Sequence, residues 1–193
     1  LESLDLREGD WVYATGYDLA HYTSRGVLAD WLLSLPAGVG LVIDLGPVQP
    51  DIPDQVLLPL LHRATMLTGN DLEMSRLERR LGGTDALRQA CPQALIVRRT
   101  GVHGCVLHPV GAEPTEVPGF VRGVVDTTGA GDTHTGVLVA GLLDGLDVVE
   151  AARRANAAAA HAVARTGPAQ APRREEIDKI LLESSETSDD DAC

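Results

Sequence analysis

Residues 125–132 read Val125-Asp126-Thr127-Thr128-Gly129-Ala130-Gly131-Asp132, and residues 133–143 after them contain no Asp, Glu, Lys or Arg. An apolar run, a glycine-bracketed turn and an apolar helix in that order make an anion site. The first turn of a helix has amide N–H groups without an intrahelical acceptor, and the aligned peptide dipoles add partial positive charge there. Glycine lets an oxyanion come close to those amides. Asp132 falls in that first turn, where a carboxylate can take a proton from a hydroxyl attacking a phosphoryl group. A glycine turn with a helix-capping aspartate is the competing reading of any lone Gly-x-Gly, and only the full string separates the two.

Upstream of this stretch, short apolar runs alternate with amphipathic ones, as strand–helix units of a parallel sheet do. Strands are predicted over 11–15, ending at Gly16, and over 40–45, where Asp44 is delivered to the C-terminal end. Further strands are expected at 66–67 and 94–98. Helical spacing predicts helices over 25–35, stopped by Pro36, and over 55–63, 70–81 and 84–91. After Gly101 the texture changes to short strands at 105–108, 115–117 and 121–125, which reads as antiparallel hairpins. The last third is helical, over 131–143, 148–164 and 174–182, with an alanine-rich close-packing face around 155–160. Residues 184–193 are rich in Ser, Thr and Asp and are expected to be a disordered acidic tail.

Composition excludes several functions. The 193-residue chain has 16 Lys+Arg against 28 Asp+Glu and a formal charge of −12, which opposes a nucleic-acid partner. Lys179 is the sole lysine, so neither a Gly-x-x-x-x-Gly-Lys phosphate loop nor the paired lysine of a protein kinase can be built. Cys91, Cys105 and Cys193 form no Cys-x-x-Cys pair, and reduced thiols in a cytoplasmic protein are expected. No apolar run is long enough for a membrane span. His21, His62, His103, His108 and His161 have no zinc-site spacing, and His134 reads as a packing residue.

The string from Asp126 to Asp132, with Gly136 and Gly141 in the helix after it, resembles the C-terminal signature of the ribokinase-like (PfkB) carbohydrate kinases. That resemblance implies a three-layer α/β/α sandwich with a mostly parallel central sheet. It implies an ATP-dependent phosphotransferase acting on a sugar hydroxyl, with Asp132 as general base. The backbone amides of Gly129, Ala130 and Gly131 would form the anion hole. Asn70-Asp71-Leu72-Glu73 is similar to the family's Asn-x-x-Glu element, so Asn70 would lie near the ATP phosphates and Glu73 would hold Mg²⁺ through water. Taken alone, the same pair reads as a helix cap and its capping-box partner, and the two roles are compatible. Gly101-Val102-His103-Gly104 resembles a nucleotide-contacting turn, and the polar Thr often found two residues before it is Arg99 here. Asn156 matches an asparagine near the adenine; its plain reading is a polar residue on a partly exposed helix face. Asp126 and Thr128 match ligands of a monovalent cation, usually K⁺, with Ala162, Arg165, Gly167 and Ala171 where the other, largely backbone, ligands arise.

The resemblance runs from about Trp11 to Leu182 and covers only the C-terminal part of the family's length. The N-terminal part, with its Gly-Gly sugar signature and lid, has no counterpart, and the chain opens on Leu1. Residues 1–183 are therefore expected to be the C-terminal ATP-binding and catalytic portion of such a kinase. The full-length enzyme would be a homodimer candidate through the lid, and exposed apolar surface is expected on the portion at hand. A fragment that binds adenine nucleotide without turnover, and a ribokinase-fold kinase for pyridoxal or hydroxymethylpyrimidine, are the alternatives.

Overall fold

The computed structural model describes residues 4–168 and 170–190, with side chains as far as Ser184. Its six strands are β1 (Trp11–Thr15), β2 (Gly40–Asp44), β3 (Met66–Asn70), β4 (Leu95–Arg99), β5 (Gly104–His108) and β6 (Thr115–Pro118), and they stand in the sheet in chain order. The chain divides into two compact units, residues 1–99 with 107–114, and residues 100–106 with 115–193.

In the first unit β1 to β4 are parallel, and their register separates the residues into two faces. Ala14, Ile43, Leu67 and Ile96 form one row across the four strands. This row enters a core with Leu57, Leu60 and Leu61 from α3 (Asp54–Arg63) and Met74 and Leu77 from α4 (Asp71–Leu81). The same core takes Leu32 from α2 (Arg25–Leu33) and Leu87 from α5 (Thr84–Ala90). Removing any one of these fully buried leucine side chains costs about 2–5 kcal/mol. The opposite face carries Tyr13, Val42, Asp44, Met66, Thr68, Val97 and Arg99, because side chains two apart on a strand share a side.

Local chemistry explains the element ends. Asn70 caps α4 through a capping box, and Gly82 closes it at φ 102°, donating its N–H to Glu78 O at 3.0 Å. Where a strand was expected to end at Gly16, the chain turns into a short helix, α1 (Gly16–Ala20). Thr15 and Asp18 form a capping box of their own there, which the sequence reading missed. A Cβ on Gly16 would lie 1.8 Å from Leu45 O, so only glycine permits this approach. Strand β1 pairs only with β2 among the described residues, and Tyr17, Tyr22 and Val27 beyond it are exposed.

In the second unit α6 (Ala130–Leu143) and α7 (Val148–Val163) pack closely through small residues. A Cβ on Gly141 would meet Ala151 Cβ at 3.0 Å, and Ala155 and Ala158 on α7 are fully buried. Asp147 caps α7 by accepting from the amides of Val149 and Glu150.

Two expectations are corrected in this unit. Residues 121–125 are not a strand: Val121, Val124 and Val125 are exposed, and the amides of Val125 and Asp126 donate to Val163 O at 2.7 and 3.1 Å. β-branched residues favour a strand only where a pleated neighbour packs on them. Helix α8 (Arg174–Asp190) runs past 182, through residues expected to be a disordered tail. Ile177, Ile180 and Leu181 anchor its first half in a core with Ala157 and Ala158. Once a helix is nucleated, each further residue adds a hydrogen bond, so weak formers can follow. Residues 191–193 of that expected tail lie outside the described residues.

Candidate active site

In the first unit the strand register gathers a polar cluster on the face opposite the leucine core. Thr15, Asp44 and Thr68 are aligned across β1–β3, and Asn70 is aligned with Arg99 across β3 and β4. All five fall at or near the C-terminal ends of parallel strands, where open α/β sheets place their ligands. Arg99 Nη1 donates to Asp44 Oδ2 at 2.8 Å and Nη2 to Asp44 Oδ1 at 3.0 Å, a two-point grip on the carboxylate. Arg99 Nη1 also donates to Thr68 Oγ1 at 3.0 Å, and Tyr13 Oη donates to Asp44 Oδ2 at 3.1 Å.

Glu73 enters this cluster from the first turn of α4. Its Oε2 accepts the Asn70 N–H at 2.8 Å, and Asn70 Oδ1 accepts the Glu73 N–H at 2.9 Å. Arg99 Nη2 stands 3.7 Å from the same Glu73 oxygen. Asp44 is 5% exposed and Glu73 6%. Burial alone lowers the Arg99 pKa, but the hydrogen bonds and charge of Asp44, with the charge of Glu73, outweigh it and hold the guanidinium above its ordinary value. Asn70 and Glu73 thus do form the cap that their spacing suggested, and Arg99 is engaged by carboxylates within its own unit.

The second unit holds the glycine turn. Gly129 is the N-cap of α6 at φ 76°, a left-handed backbone, and a Cβ there would lie 2.4 Å from Pro168 O. Ala130 donates its N–H to Thr127 O at 3.3 Å, and Gly129 O accepts from Thr133 at 2.9 Å. Asp132 is exposed in the first helical turn, while Thr133, His134 and Thr135 behind it are buried. The turn itself is partly accessible, with no side chain capping it.

Asp126 ties this turn to the segment after α7. Its Oδ1 accepts the Thr128 N–H at 2.9 Å and its Oδ2 the Gly167 N–H at 3.0 Å. Those two backbone bonds, Thr128 first, hold the carboxyl below the usual carboxylate range. Gly167 is left-handed at φ 94°. Ala162 O accepts the Arg165 N–H at 3.1 Å, and Ala171 is exposed. Asp126, Thr128 and Gly167 are therefore brought together, and Ala162 and Arg165 lie on one helix end.

Two expected nucleotide contacts have clear structural duties. Gly104 is left-handed at φ 97°, and a Cβ there would fall 2.1 Å from Val117 O, so packing against the end of β6 requires glycine. Gly101 is left-handed as well, with open space around it. Asn156 is not on a partly exposed face: it is 5% exposed. Its Nδ2 donates to Val117 O at 2.9 Å and Pro118 O at 3.1 Å, which turns Oδ1 toward His134 Nε2 at 3.0 Å. That network puts the His134 proton on Nε2. His134 is a buried packing residue, as expected, and it links α6 two residues after Asp132 to α7.

Tyr13 and Thr68 were missed by the sequence reading, and Asp44 was noticed only as the residue ending its strand. Cys91 is buried, and that burial pushes its thiol up to about 12, as suits an unreactive reduced cysteine. Among the described residues no three His, Cys, Asp or Glu side chains form a group able to hold a metal, and no helix is long and apolar enough to cross a membrane.

Known proteins bear on both units. An uncharacterized sugar kinase of Escherichia coli K12, YegV, is 32% identical over 183 residues, covering 92% of this chain and 56% of its own length. The bifunctional protein HldE of Rhodopseudomonas palustris TIE-1 is 37% identical over 131 residues, covering 63% of this chain and 26% of its own. Among solved structures, fructokinase with bound ATP from Xylella fastidiosa superposes with a TM-score of 0.80 at 20% identity, covering 91% of this chain and 62% of that one. The fold is thus the expected ribokinase-like three-layer α/β/α class, and the chain spans about half the length of the curated relative it matches over most of its residues. The model of the pfkB family carbohydrate kinases matches residues 5–174, and the chain belongs to that family.

Proposed function

We propose that the chain is the nucleotide-binding and proton-accepting portion of an ATP-dependent kinase that phosphorylates a hydroxyl of a sugar or sugar-like alcohol. The observation that carries this reading is Asp132, an exposed carboxylate in the first turn of a helix that starts on a left-handed glycine. A carboxylate there accepts the proton of the attacking hydroxyl, and the amides at Gly129 to Gly131 oppose the charge that develops on the transferred phosphoryl oxygens. Ala130 donates within the turn, so Gly131 and the helix dipole carry more of that duty.

Magnesium suits the donor set. The described residues offer no carboxylate cage, and Mg²⁺ keeps most of its waters, so Glu73 holding it through water, with phosphate oxygens as the other ligands, is sufficient. Bound there, the ion would neutralise phosphate charge. Asp126, fixed by Thr128 and Gly167, keeps further oxygen lone pairs for a hard monovalent cation such as K⁺, with backbone carbonyls of the 162–171 segment as its companions.

The test couples ADP release to a panel of sugars and nucleosides, beside a nucleotide titration. Asp132→Asn should lower turnover by on the order of 10²–10⁴ while nucleotide binding survives. Near-normal turnover in that variant would remove Asp132 from its role. The chain's half-length match to YegV favours one second reading, a portion that binds nucleotide without turning over unless the rest of the enzyme is present. Binding without ADP release on any substrate would select it.

A further inference from the structure

Arg98 and Arg99 are adjacent in sequence and belong to opposite faces of the sheet. Arg98 is aligned with Gly69 and pairs with Asp71 at 2.9 Å and Glu78 at 2.6 Å. Arg99 is aligned with Asn70 and reaches both Asp44 and Glu73. The side chains of Asp44 and Glu73 are each 7% exposed, and that of Arg99 is 13% exposed. Two carboxylates held this far from water repel one another and favour a cation between them. The guanidinium is that cation: it grips both oxygens of Asp44 and faces Glu73 Oε2.

We propose that Arg99 is the resident cation of this carboxylate pair, and that it keeps free divalent metal out, so that a divalent ion enters only in complex with the nucleotide phosphates. The proposal rests on the nucleotide reading above, and it deepens that reading by assigning how the site takes its metal. A divalent ion seated between Asp44 and Glu73 would lie against a permanent positive charge, and arginine cannot yield by losing a proton. The same charge is an asset once a polyanion arrives. A nucleotide triphosphate brings its own negative oxygens, and the guanidinium then adds to the attraction. Thr68 and Tyr13 hold the geometry by bonding Arg99 and Asp44 from the side, so the arginine does not swing away when metal is raised.

The test is titration of the 193-residue chain with Mn²⁺ alone, followed by electron paramagnetic resonance, without nucleotide. The wild-type chain should bind no Mn²⁺ that Glu73→Gln removes. Arg99→Met should bind it at least about tenfold more tightly, since a positive charge within a few ångströms has gone, and Glu73→Gln in that background should abolish the gain. Arg99→Lys keeps the charge and should stay as poor a binder as wild type. Circular dichroism of each variant verifies the fold. If Arg99→Met does not fold, the wild-type and Glu73→Gln titrations decide alone. Wild-type binding lost in Glu73→Gln overturns the proposal, as does a folded Arg99→Met that binds no better. Because the readout is Mn²⁺ without nucleotide, a chain that fails to bind ATP would break the proposed function and leave this result standing.

Discussion

The two polar regions are built on opposite principles. Around Asp44 and Arg99 the groups are side chains drawn from four strands and a helix and bonded to one another, with the charged ones, Asp44, Glu73 and Arg99, largely shielded from water. Around Gly129 the groups are main-chain amides and one exposed carboxylate from a single contiguous stretch. The first region holds itself together through charge and is costly to disturb. The second is more accessible, with Asp132 exposed and Gly129 to Gly131 partly so. The proposed role of Asp132 as proton acceptor needs that accessibility, and an ion pair that holds the fold together needs the reverse.

Removing Asp44 is the sharpest way to break the contrast. Asp44→Ala leaves the Arg99 guanidinium buried without its main partner and should destabilise the chain by about 3–5 kcal/mol in urea unfolding. Asp132→Asn, at an exposed site, should change stability by under about 1 kcal/mol in the same experiment. Equal losses at the two aspartates would erase the distinction between the buried, ion-paired carboxylate and the exposed one.

Asn156→Ala comes next in size. It removes the acceptor for His134 and the donor to Val117 and Pro118, leaving buried polar groups unmatched, at about 1–3 kcal/mol. The outward-facing turn should feel this change as well, because His134 lies two residues from Asp132. Gly129→Ala should cost a comparable 1–3 kcal/mol or so, from the left-handed backbone and the contact with Pro168 O. Thermal melts of the two variants check both values.

The smallest effect is one of pH. His161, on α7, has its pKa lowered first by burial and then by the charge of Arg165, with Arg122 adding and Glu176 opposing. A histidine with a depressed native pKa stabilises the fold when neutral. Its contribution is present above the unfolded value near 6.5 and is lost as pH falls through the lower native value. Stability should therefore decline as pH falls below about 6.5 in wild type, and less steeply in His161→Gln, read from denaturation midpoints.

Legibility in the sequence follows the same division. The glycine turn and helix start in the Asp126–Asp132 string could be read directly, because they are contiguous and their glycines and aspartates are distinctive. The Asn70/Glu73 cap was legible for the same reason, since three residues separate the partners. Tyr13, Asp44, Thr68 and Arg99 come from four strands, and only the register, which no single stretch encodes, reveals that they meet. The burial of Asn156 was not legible, because helical periodicity shows which face is apolar but not whether a polar residue on it finds carbonyls to bond. The 121–125 run was misjudged because β-branched composition speaks for a strand without naming its partner. The helix past 182 was misjudged because composition says nothing of the anchored turns that precede it.

Strand order that copies chain order has a bearing on how the protein is made. As the polypeptide leaves the ribosome, each of β2, β3 and β4 meets a neighbour synthesised just before it, joined by a local crossover of one or two helices. No strand among these four must wait for a partner from the far end of the chain, so the sheet can grow outward during translation with little time for a bare edge to find the wrong company.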